Sequence, residues 1–189
     1  MPKGEGFSFS AVNGPTASLW VFSLPDKKAT PLGDIRSPFP LNSAWSPDGR
    51  WVAYTLRGAT GASSVDVEPF PHAGTPYQIS QRDEQGGHHP LWSPNGKELF
   101  YFRGTDPLVV VDIATQPTFS FSSPRPVPGP IANNTAISGP RNYDITPDGQ
   151  RIITVVGFGQ RQQEASTASQ VQVVLNWFEE LKVRVPAAK

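Results

Sequence analysis

Trp45-Ser46-Pro47-Asp48-Gly49-Arg50 is followed at once by the apolar run Trp51-Val52-Ala53-Tyr54-Thr55, and the combination recurs. Trp92-Ser93-Pro94-Asn95-Gly96-Lys97 precedes Glu98-Leu99-Phe100-Tyr101-Phe102. Ile145-Thr146-Pro147-Asp148-Gly149-Gln150 precedes Arg151-Ile152-Ile153-Thr154-Val155. Copies that start at residues 45, 92 and 145 mark a repeat architecture. Ser-Pro-Asp-Gly suits a type I turn: Ser at the first position, Pro with its preset φ at the second, Asp at the third and Gly at the fourth. With an apolar residue before it and a β-prone run after it, each copy reads as a β-hairpin. Pro47, Asp48 and Gly49, Pro94, Asn95 and Gly96, and Pro147, Asp148 and Gly149 are therefore read as turn-shaping residues.

Aligning the hairpins gives a unit of four antiparallel strands. One unit has strands at 42–46, 51–56, 63–70 and 75–80. The next has them at 89–93, 98–102, 108–113 and 118–122, with an extension through 125–127. The last has them at 142–146, 151–156 and 171–177. Ahead of these, Phe7 to Ala11 reads as a second strand, and Ser18 to Leu24 and Ala29 to Leu32 read as the last two strands of an incomplete unit. Four strands in about 40–50 residues is the signature of a propeller blade. The expected fold is all-β: a partial β-propeller of about three and a half blades over residues 1–185. Its divisions fall at 1–33 (a blade remnant), 34–80, 81–128 and 129–178, with a frayed tail at 186–189. The start reads as the middle of a strand, as in a chain cut from something longer. Open blades expose unpaired edges, so partners in the form of missing blades or further copies are expected. Gly157 to Ser169 reads as a polar loop, and 176–184 as a short helical turn.

Composition narrows the function classes. The 16 Lys+Arg balance 16 Asp+Glu, so nothing favours nucleic acid or anionic lipid. There is no cysteine, which excludes disulfides and thiolate metal sites. No segment approaches the length of a membrane helix, so no membrane insertion by this chain is expected. The 21 prolines and 17 glycines punctuate strand-like runs and read as turns. No Gly-x-Ser-x-Gly elbow occurs, so no hydrolase nucleophile is indicated. No cofactor is expected.

The repeat alignment picks out one candidate site. Asn42, His89 and Asn142 occupy the same place, four residues before the Ser or Thr of each turn, and Leu41, His88 and Arg141 precede them. These positions open the innermost strands, which line a propeller's central channel. Asn42, His88, His89, Arg141 and Asn142 are the candidate ligand-binding residues at the channel mouth, where polar groups pooled at a concavity suit a small ligand or a peptide end. Adjacent residues of a strand point to opposite faces, so His88 and His89 are a poor metal pair, and no metal site is expected. Trp20, Trp45, Trp51, Trp92 and Trp177 read as core aromatics between blade sheets.

The repeated Trp-Ser-Pro-Asp-Gly hairpins resemble the PD40 (WD40-like) repeats of six-bladed TolB-like propellers. Ser18-Leu-Trp-Val-Phe-Ser-Leu24, Val65-Asp-Val-Glu-Pro-Phe-Pro71, Lys97-Glu-Leu-Phe-Tyr101, Tyr143-Asp-Ile-Thr-Pro-Asp-Gly149 and Val173-Val-Leu-Asn-Trp177 are similar to the C-terminal propeller of bacterial eukaryotic-like serine/threonine kinases. That resemblance implies a non-catalytic sensor or scaffold module, binding a protein or small ligand on the extracytoplasmic side of a membrane-anchored parent. Any kinase activity would reside in an upstream domain, because no Gly-rich phosphate loop, His-Arg-Asp or Asp-Phe-Gly occurs here. The alternatives are the accessory propeller of a peptidase-like hydrolase and a TolB-type envelope scaffold.

Overall fold

The computed structural model of the chain describes residues 1, 4–72, 74–81, 86–104, 107–129, 131, 136–137 and 139–155. The polar stretch 157–169, the expected strand at 171–177 with Trp177, the helical turn at 176–184 and the tail lie outside the described residues.

The described part of Met1–Val156 is all-β and consists of antiparallel sheets in sequence order. β1 (Gly6–Asn13), β2 (Thr16–Ser23) and β3 (Lys28–Ser37) form the first sheet. β4 (Ser43–Trp45), β5 (Trp51–Arg57), β6 (Ser63–Pro69) and β7 (Tyr77–Gln78) form the second. The third is β8 (Gly87–Trp92), β9 (Glu98–Arg103) and β10 (Leu108–Ala114), with β11 (Ser120–Phe121) and β12 (Arg125–Pro126) both on β10. β13 (Tyr143–Ile145) and β14 (Ile152–Thr154) pair in the fourth. Several strands differ in extent from the sequence reading, β3 and β7 among them. β3 is longer, because the strand resumes past a bulge and pairs Ser37 with Ala17. The outer strand β7 is shorter, with two pairs on β6, Asp66 with Gln78 and Val67 with Tyr77.

The sheets pack face to face, and the two-residue period of a strand decides which neighbour each side chain meets. On β5, Val52 and Tyr54 join Leu19, Val21, Leu32 and Ile35 of the first sheet, whereas Ala53 between them joins the third. Val65 and Val67 of β6 likewise meet Leu99, Tyr101, Val109 and Val111. The other face of β9 and β10 carries Phe100, Phe102, Leu108 and Val110 against Tyr143. Full burial of such side chains contributes about 1.5–3 kcal/mol each. Trp92 is buried in one of these layers, and Trp45 and Trp51 pack at their margins. Trp20 departs from the expected core role. It lies between Leu19 and Val21 in β2, so its ring falls on the opposite, half-buried face, where Nε1–H donates to Ser18 Oγ at 2.9 Å.

The hairpin turns share one bonding scheme. In the first, Ser46 N–H donates to Trp51 O and Gly49 N–H to Ser46 O, both at 2.9 Å. Asp48 Oδ1 accepts from Arg50 N at 3.0 Å and from the Ser46 hydroxyl. Ser93/Asn95/Lys97 and Thr146/Asp148/Gln150 repeat this arrangement. Gly49, Gly96 and Gly149 have φ of 73°, 71° and 71°, in the left-handed region that a Cβ disfavours. Successive turns also touch: a Cβ on Gly96 would lie 3.5 Å from the Pro47 ring, and one on Gly149 would lie 3.8 Å from that of Pro94.

The lead-in to β1 shares one bond of this scheme. Met1 N donates to Gly6 O at 2.8 Å, as Ser46 N does to Trp51 O, and Gly4 has φ 68°. Met1-Pro2-Lys3-Gly4-Glu5-Gly6 thus aligns with Ser46-Pro47-Asp48-Gly49-Arg50-Trp51.

Candidate functional site

The candidate residues sit where β4, β8 and β13 begin. The structure brings His88, His89 and Arg141 together, and Asn42 reaches toward them through the carbonyl of Ile137. Asn42 Nδ2 donates to Ile137 O at 2.8 Å, and Gly139 N donates to Ala136 O at 2.7 Å. Arg141 Nε donates to Tyr143 O at 2.9 Å and Nη1 to Pro90 O at 3.3 Å. The main-chain oxygens of Asn42 and Asn142 hold equivalent places, accepting from Thr55 N and Val155 N. Leu41 turns into the apolar layer between the first two sheets.

The two histidines overturn the expectation that they face apart. His89 has φ 55°, and the β8–β9 register slips between His88 and Leu91. Three residue steps on β8 thus span two on β9, a β-bulge that cancels the alternation at this point. Both rings turn inward, each side chain almost fully buried, with centroids 4.8 Å apart. Nδ1 of His88 lies 2.6 Å from Nδ1 of His89. The outer nitrogens face carbonyls: His88 Nε2 lies 3.0 Å from Gly104 O and His89 Nε2 lies 2.9 Å from Gly139 O. His89 is tied further, its N–H donating to Thr55 Oγ1 and its carbonyl accepting from the Tyr143 hydroxyl at 2.7 Å.

A proton count follows. Each outer nitrogen must carry hydrogen to meet a carbonyl, and a third hydrogen must lie between the inner nitrogens. Two neutral imidazoles carry two in all. A third proton would satisfy all three contacts but would place a positive charge in a buried site. Burial pushes His88 down to about 4 against the help of the Gly104 carbonyl. It lowers His89 as well, with Arg141 adding to the lowering. At neutral pH the pair is neutral, and one of its three contacts lacks a proton.

A second buried ionisable group lay unremarked in the sequence. Ser64, Asp66 and Glu68 alternate along β6 on the face opposite Val65 and Val67, and all three are buried. Glu68 is fully buried, with Oε2 3.3 Å from His72 Nδ1 and neither carboxyl oxygen in a hydrogen bond. Burial raises its pKa, His72 opposes the rise and Asp66 adds to it. The signal in the sequence was Asp66 and Glu68 alternating with Val65 and Val67. Among the described residues, no group of three or more His, Asp or Glu is arranged to hold a metal ion.

No family model matches the chain. It is 25% identical over 172 residues to dipeptidyl-peptidase 5 of Aspergillus fumigatus in two strains, covering 81% of this chain and 22% of that protein. The chain therefore spans about a fifth of the length of the curated relatives it matches. Among solved structures it is similar to TolB from Acinetobacter baumannii, with a TM-score of 0.59 and 13% identity over 82% of this chain and 36% of that one. A TolB candidate from Agrobacterium tumefaciens superposes with a TM-score of 0.51 and 15% identity, over 67% of this chain and 43% of that one. The fold is that of TolB-like propellers.

Proposed function

We propose that this chain is a non-catalytic propeller module that binds a protein or small ligand where its inner strands begin. The observation that carries the reading is the convergence of donors from successive blades: Asn42 Nδ2, the outer nitrogen of His89 and the Arg141 guanidinium all meet backbone carbonyl oxygens. An acceptor-rich ligand, such as a peptide end with its carboxylate, would bind by taking the place of these carbonyls on the Asn42 and Arg141 donors. The kinase resemblance supports the sensor region of a signalling protein as the parent, with an extracytoplasmic placement.

The test is an NMR titration of the chain with tripeptides bearing free carboxylates. Shifts are expected at Asn42, His89 and Arg141, and they should vanish in an Asn42→Ala, Arg141→Ala double variant that still folds. Shifts confined to other surfaces would overturn the assignment.

The similarity to dipeptidyl-peptidase 5 favours a second reading, the accessory propeller of a peptidase. Release of dipeptides by the full-length parent, against phosphorylation by it, separates the two.

A further inference from the structure

β5 and β9 hold the same place in successive repeats. The turns before them are closed alike, by Ser46 N to Trp51 O and Ser93 N to Glu98 O, so Tyr54 corresponds to Tyr101 and Leu56 to Arg103. Leu56 packs against the apolar layer between the first two sheets. Leu99 and Tyr101 face the second sheet in the same way. Arg103, two residues further along β9, shares their side of the strand. A cation thus stands where the repeat has a leucine, and such a break in an otherwise consistent pattern points to function.

Arg103 lines a cleft of about 480 Å³ between residues 78–81, at the end of β7, and 121–124, at the end of β11. None of the residues that line it is acidic. Among the described residues no carboxylate pairs with the guanidinium. Two buried hydroxyls line the same cleft. Ser80 Oγ accepts from Val65 N at 2.8 Å and from Gly87 N at 3.0 Å, which leaves its own hydrogen to donate. Burial pushes the Tyr101 phenol up, against the nearby charge of Arg103, so that hydroxyl keeps its proton. Phe121, which is exposed, and Pro124 add apolar surface.

We propose that this cleft binds a small aromatic carboxylate, its charge on Arg103, Tyr101 and Ser80 and its ring on Phe121. A guanidinium presents a fork of donors that fits both oxygens of a carboxylate. One cation without an acid beside it calls for one negative charge, and the volume suits a small molecule. The site uses none of the donors at Asn42, His89 and Arg141, and either can fail without the other.

The probe is phenylacetate, titrated into the chain while amide shifts are followed by NMR. Shifts are expected at residues 79–80, 101–103 and 121–123 at millimolar concentration. Phenylacetamide keeps the ring without the charge, and acetate keeps the charge without the ring. Each should bind about tenfold more weakly than phenylacetate. Arg103→Leu installs the residue of the repeat and should weaken phenylacetate about tenfold, while the melting temperature holds or rises. If that variant does not fold, Arg103→Gln, neutral and polar, takes its place in the same comparison. Tyr101→Phe should weaken binding about threefold. The proposal is overturned by absence of shifts in the cleft at tens of millimolar phenylacetate, or by equal affinity for phenylacetamide. It is overturned too by unchanged affinity in the folded Arg103 variant, or by shifts confined to Asn42, His89 and Arg141.

Discussion

Acidification from pH 7 to pH 5 should weaken this fold through His88. In the unfolded chain the imidazole titrates near 6.5, and in the folded chain burial holds it at about 4. The folded-state value is the lower one, so the unfolded chain takes up the proton first as pH falls. The stabilising effect is complete above the unfolded value and is lost through the window from about 6.5 to about 4. Integrated between pH 7 and pH 5, the loss is about 2 kcal/mol, and the whole difference caps it at about 3 kcal/mol. His89 shifts in the same direction and adds to the slope. Glu68 opposes it, because a carboxyl with a raised folded value binds its proton more tightly in the folded state. The comparison must therefore be made against a His88→Gln variant, which keeps Glu68. Gln has a donor for the Gly104 carbonyl and no group that titrates here. Urea midpoints by tryptophan fluorescence at pH 7 and pH 5 give the four stabilities. The unmodified chain should lose about 2 kcal/mol more than the variant on acidification. Equal losses, or an unmodified chain that gains on the variant, would refute the neutral histidine pair. The second outcome would mean that the folded state takes up the third proton.

Replacing Glu68 by Gln should raise stability at pH 7 by about 1 kcal/mol, because the buried charge and its desolvation cost disappear. The gain should shrink toward pH 4, where the native carboxyl is protonated as well, as urea midpoints at both pH values would show. Gly49→Val and Gly96→Val should each cost roughly 1 kcal/mol or more through the left-handed φ, measured by thermal melting. The two should cost alike, since a Cβ at Gly96 would meet the Pro47 ring at an ordinary contact distance of 3.5 Å. Tyr143→Phe removes the donor to His89 O at 2.7 Å and should cost about 1–2 kcal/mol. Amide exchange around residues 88–91 should quicken.

The repeat was legible because its information is local. Pro presets one backbone angle, Gly relaxes another, and alternation over five residues says which side of a strand is buried. The likeness of Met1 to Gly6 to the other copies is harder to read in sequence, because Met1 and Lys3 stand where they have Ser and Asp. The candidate site was legible only as a set of aligned positions. That His88 and His89 share one side of β8 depends on a bulge and on the anchoring of His89 by Thr55 and Tyr143, from two other sheets. Tertiary contacts of that kind leave no mark on a two-residue period. The same holds for Trp20: its place in β2 says which face it takes, but what covers that face is decided by the neighbouring sheet.

The contact of each turn's glycine with the preceding turn's proline has a bearing on how such a chain can change in length over generations. Pro47 faces Gly96 and Pro94 faces Gly149, so the middle copy both supplies a proline to one neighbour and receives one from the other. A duplication or deletion of one whole unit carries a proline and a glycine together and leaves every joint matched. A break inside a unit leaves a proline without its glycine, or sets a glycine against a residue of the wrong shape. A change in length that keeps these joints is therefore expected to come in whole units of about fifty residues.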